Sequence, residues 1–103
     1  MLIRSQDKTA LVKFENIVVN LKLPDSLNVI CWSLQDAQRS GGYFILGKYS
    51  AKAKAMKVLD MIQEAYSEYQ IMLNFSVSYL HEFKEKTDGF AIFQMPEDSE
   101  VEA

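Results

Sequence analysis

Few side chains in this sequence could carry out chemistry. His81 is the only histidine and Cys31 the only cysteine. A zinc site needs clustered Cys and His ligands at set spacings, and these two residues cannot make one. Cys31 sits in an apolar run with no base beside it in sequence, so a buried, reduced thiol is expected. A Cys31–His81 dyad needs the fold to join them; otherwise His81 is a solvated helix histidine. Asp25 and Asp36 stand in turn-like stretches, where aspartate is ordinary. Gly41-Gly42 is not followed by the Lys-Ser/Thr of a phosphate loop. Neither a Ser-His-Asp set nor a nucleophile elbow can be found. The expectation is a protein that is not an enzyme, with no cofactor and no metal.

The lysines offer binding chemistry instead. Lys48, Lys52, Lys54 and Lys57 crowd the start of a helical stretch, where the helix dipole prefers acids. Cations beside free backbone N–H groups can hold a phosphate or an acidic partner. Lys48, Lys54 and Lys57 are therefore the candidate contacts to an anion or a protein partner. Lys52 points away from Lys57 on a helical wheel. The competing expectation is a solvated helix face.

The stretch that positions these lysines runs from Tyr43 to Tyr69. Tyr43 to Leu46 reads as a short strand, broken by Gly47 and Lys48. Ser50 stands where a helix N-cap belongs. At about 100° per residue, Ala51, Val58, Leu59, Ile62, Ala65, Tyr66 and Tyr69 fall near one direction of the wheel. Lys57, Asp60, Gln63, Glu64, Ser67 and Glu68 fall on the other side. An amphipathic helix with one buried stripe is expected.

Before it, the sequence alternates at strand period. Leu2-Ile3 opens a strand, and Arg4 to Lys8 is a polar turn. Ala10, Val12 and Phe14 share a side, and Glu15-Asn16 breaks the run. Ile17, Val19, Leu21 and Leu23 face one way. Pro24-Asp25-Ser26 is a turn, since proline fixes φ and aspartate can bond the backbone beyond it. Ile30, Trp32 and Leu34 then oppose Val29, Cys31 and Ser33. Short turns make neighbouring strands antiparallel.

After Tyr69 the helical stripe breaks. Residues 71–80 fit strand alternation and also a second helical stripe through Met72, Phe75, Tyr79, Leu80 and Phe83. Because no Gly or Pro lies between Lys48 and Thr87, a helix kinked or restarted near residue 70 is favoured. Thr87-Asp88-Gly89 is a turn, and Phe90 to Gln94 a final strand ended by Pro96. The fold class is α+β: an antiparallel β-meander of five or six short strands, one face covered by a long amphipathic helix. A second helix and a C-terminal strand complete it. Residues 1–96 form a single domain, and 97–103 an acidic, disordered tail.

Charge and composition narrow the partners. The net charge of the 103 residues is −3, and Glu97, Asp98, Glu100 and Glu102 account for more than all of it. The body is nearly neutral, so no global field points to nucleic acid or to a membrane surface. No apolar run is long enough to span a membrane, and no signal peptide is visible at the start. A cytoplasmic protein is expected. Aromatic and methionine side chains on the helical segment suit adaptable protein contacts. A heptad-like series runs through Leu59, Ile62, Tyr66, Tyr69, Leu73, Ser76, Leu80 and Phe83. Ser76 and the two tyrosines weaken it, and it leaves open both a bent helix on its own sheet and a homodimer contact. The leading expectation is a small interaction module that self-associates with an unknown protein partner. The alternative is a regulator that binds nucleic acid or another anion through the helix-start lysines.

Arg4-Ser5-Gln6-Asp7, Leu11-Val12, Phe14-Glu15-Asn16-Ile17, Leu46-Gly47-Lys48-Tyr49-Ser50, Ala55 to Ile62 and Phe93-Gln94-Met95-Pro96 touch both ends of the chain and its middle. On these pieces the sequence resembles small uncharacterised proteins of Gram-positive bacteria and their prophages. The resemblance implies a setting and no mechanism. A meander followed by a helix also looks like pleckstrin-homology-type modules, at the level of fold alone.

Overall fold

A computed structural model describes residues 1–34, 42–74 and 92–102. Its elements are β1 (Leu2–Arg4), β2 (Leu11–Lys13), a 3-10 turn (Phe14–Asn16), β3 (Ile17–Leu21), β4 (Asn28–Ser33), β5 (Phe44–Lys48), α1 (Lys52–Asn74), β6 (Ile92–Gln94) and a second 3-10 turn (Asp98–Glu100). The class is α+β, as expected. The single meander is not found. Among the described residues, six strands form two three-stranded sheets, ordered β2-β1-β6 and β3-β4-β5. Only the second is a meander. In the first, β6 lies parallel to β1, with Ile3 opposite Phe93.

The turns follow from their residues. Between β1 and β2, one carboxylate oxygen of Asp7 accepts bonds from the Thr9 amide at 3.0 Å and the Thr9 and Ser5 hydroxyls at 2.7 Å each. Asp25 accepts from the Leu27 amide at 3.2 Å, the expected aspartate turn. Strand β3 ends at Leu21, and Leu23 is 77% exposed. The expected alternation therefore extends one position too far, because Pro24 follows directly and offers no N–H to a ladder.

Alternation sorts the second sheet. Val19, Leu21, Val29 and Cys31 face the core shared with Ile3, Leu46, Met95 and Val101. Ile30 is also buried but lies outside that cluster, on the opposite face of its strand. Strand β5, its register against β4 shifted at Leu46, continues through Gly47, which the sequence suggested as a break. The ring of Tyr49 lies over it, leaving no room for a Cβ.

Helix α1 buries Ala55, Val58 and Ile62 and half-buries Leu59, Ala65, Tyr66 and Tyr69. This is the expected stripe, except that Ala51 is exposed. Phe14 stacks on Tyr66 with ring centroids 4.6 Å apart. The helix does not break near residue 70; it continues through Asn74, leaving Ile71 and Leu73 exposed. The expectations for residues 75–80, the second helix, the loop at 37–41, Asp36, His81 and the turn at Thr87-Asp88-Gly89 lie outside the described residues.

The acidic end packs onto the domain rather than trailing from it. Val101 is 3% exposed and belongs to the core. Glu97 and Glu100 cap each other's backbone across the 3-10 turn. Pro96 is buried, and its carbonyl accepts bonds from the Tyr49 hydroxyl at 2.8 Å and the Gln6 amide nitrogen at 3.1 Å.

Candidate functional site

The start of α1 is built differently from the sequence expectation. The first helical bond runs from the Ala55 amide to the Ala51 carbonyl, so Ala51, not Ser50, holds the capping position. Ser50 lies one residue outside, and its amide donates to Asp98 at 2.7 Å. Asp98 supplies the negative charge that the helix start otherwise lacks, since no acid stands in the first turn of α1. The Ser50 amide bond, with Lys54 nearby, holds the Asp98 carboxyl below the usual aspartate range.

The three candidate lysines have different roles. The Lys54 ammonium lies 3.0 Å from the Asp98 carbonyl and 3.4 Å from its carboxylate. The anion expected at Lys54 is therefore the chain's own Asp98. Lys48 is exposed at the end of β5, where the Gln6 side chain bonds both its amide and its carbonyl. Lys57 is exposed on the outer face of α1, in a groove shared with Ala53, Met56, Asp60, Met61, Glu64 and Glu102 of the chain's own acidic end. One anion cannot use all three on this arrangement, because Lys54 is already paired.

Beside the lysines lies an apolar surface that alternation hid. Leu23 is 77% and Met56 50% exposed. Met56 forms a ridge between two open grooves. One, of about 320 Å³, runs between Leu21, Leu23 and Leu59. The other, of about 520 Å³, lies along the outer face of α1 against Ala53 and Met61. Apolar side chains at a ridge between grooves gain by leaving water only when another surface covers them. The residues missed were Leu23, hidden by the strand pattern, and Asp98, far from α1 in sequence.

Cys31 is buried, and burial pushes its thiol up, away from the thiolate form that reacts. Among the described residues, no three His, Cys, Asp or Glu side chains gather as a metal site. No described helix is long and apolar enough to cross a membrane. Compared with known proteins, the chain matches no family model, no curated protein and no solved structure.

Proposed function

We propose that this protein is a non-enzymatic interaction module that self-associates through the surface around Met56. The observation that carries this reading is that Leu23, largely exposed, and Met56, half-exposed, line one groove at the start of α1. Large apolar side chains in so small a domain suit a contact surface better than a solvated one. The buried cysteine suits a cytoplasmic setting. The alternative, an anion or nucleic-acid contact through Lys48, Lys54 and Lys57, has less support, because Asp98 already neutralises Lys54.

The mass of the protein in solution, measured by light scattering from micromolar to near-millimolar concentration, tests the reading. The expected mass rises above that of one chain, and Leu23→Ser with Met56→Ser returns it to one chain. A single-chain mass throughout overturns the proposal.

A further inference from the structure

The charges on the outer face of α1 follow an order that the helix alone does not favour. Lys57 stands near its N-terminal end, and Asp60, Glu64 and Glu68 follow along the same side, whereas Lys52 lines the neighbouring groove with Leu21 and Leu23. Helix dipoles favour the reverse order. Asp98 answers Lys54 and no other lysine. The side chains of Lys57, Asp60 and Glu64 make no ion pair or hydrogen bond among the described residues. They are three and four residues apart and share one stripe with Ala53 and Met56.

This order is self-complementary under a two-fold axis. Two copies of α1 laid antiparallel, with the axis between positions 57 and 60, bring opposite charges together. Lys57 of each copy then faces Asp60 of the other, with Glu64 one turn away. The Met56 side chains of the two copies lie together along one flank of the seam and those of Met61 along the other, and flexible methionines adapt to such a contact. The small Ala53 lets the helices approach. The two helix dipoles oppose, so the order that is unfavourable in one chain is compensated in the pair. A parallel pairing would place like charges opposite each other.

We propose that the outer face of α1 is the seam of an antiparallel, two-fold dimer, with a second copy of this chain as its occupant and Lys57–Asp60 pairs fixing its register. This rests on the self-association proposed above and names its geometry.

Charge exchange tests the seam, with dimer dissociation followed by sedimentation equilibrium. Lys57→Asp or Asp60→Lys alone sets like charges across the axis twice and is expected to weaken the dimer about tenfold. Lys57→Asp with Asp60→Lys restores complementarity and is expected to recover the dimer. That double variant should not mix with the wild-type chain, because lysine would then meet lysine. Both positions are exposed, and an unchanged helical circular dichroism spectrum shows that the fold survives. A wild-type dimer indifferent to the single changes overturns the seam but leaves self-association standing. So does a double variant that stays weak. A wild-type chain that is monomeric at every concentration overturns both and leaves this face to solvent or to a different protein.

Discussion

A Cβ on Gly47 would lie 2.9 Å from the Tyr49 hydroxyl oxygen and 3.0 Å from its ring. The ring has no easy escape, because Tyr49 is 4% exposed and its hydroxyl donates to the Pro96 carbonyl at 2.8 Å. Gly47→Ala is therefore expected to destabilise the domain by about 1–3 kcal/mol, the usual range for overpacking. Urea unfolding would show this as a lower midpoint at unchanged slope. Because the clash is mostly with the phenol end, Gly47→Ala and Tyr49→Phe together should cost less than the sum of the two alone. Asp7 makes a different residue-scale prediction. Three hydrogen bonds, the largest effect coming from the Thr9 hydroxyl, lower its carboxyl to about 2. The folded value is depressed, so the stabilisation is complete above the ordinary aspartate value of about 3.9. It is lost as pH falls through about 2. Asp7→Asn should lower stability at neutral pH, and its deficit should shrink steadily as pH falls from about 4. Unfolding midpoints at several pH values would show this. A deficit independent of pH would mean that the carboxylate charge plays no part.

At the scale of elements, α1 shows why some features are legible in a sequence and others are not. Its buried stripe repeats at helical period, and burial is what enforces that period. Val58, Leu59, Ile62, Ala65, Tyr66 and Tyr69 were readable for that reason. The stripe ends near residue 70, but the backbone does not. A helix continues when its residues tolerate it, and Ile71 and Leu73 are left exposed as a result. The N-terminal cap was misread for a different reason. Ser50 has the right chemistry, but its amide is taken by Asp98, 48 positions away. Local signals cannot report a partner at that distance. Two truncations on this helix separate the core from the seam. Ile62→Ala removes a side chain 3% exposed and should cost about 2–5 kcal/mol. Met56→Ala, at a half-exposed site, should change the stability of the monomer by no more than about 0.5 kcal/mol. Urea titrations at dilute concentration, where association is absent, make the comparison. Equal losses at the two sites would contradict the assigned faces.

For the whole molecule, the α+β class followed from period alone, whereas the arrangement of the sheets did not. Strands of three residues, such as β1, β2 and β6, carry too few side chains to reveal direction or partner. The parallel pairing of β6 with β1 is a contact between the two ends of the chain, and it was invisible for that reason. The same closure explains the acidic end. Glu97, Asp98, Glu100 and Glu102 look like a solvated tail by composition, and Val101 alone among them is apolar. Yet the Met95 amide donates to the Arg4 carbonyl at 3.0 Å, and two side chains hold the Pro96 carbonyl. The backbone is thus aimed over the start of α1, where Val101 enters the core. Full burial of a valine contributes about 1.5–3 kcal/mol. A chain ended after Pro96 should remain folded but lose about 2 kcal/mol, which lowers the thermal midpoint of a domain this size by roughly 8–16 °C. Differential scanning calorimetry would measure it. Val101→Asp in the full chain should lower the midpoint in the same direction, because it places a charge in that buried site without removing Asp98. If truncation leaves the midpoint unchanged, the acidic end is a tail after all, and Asp98 cannot be what neutralises Lys54.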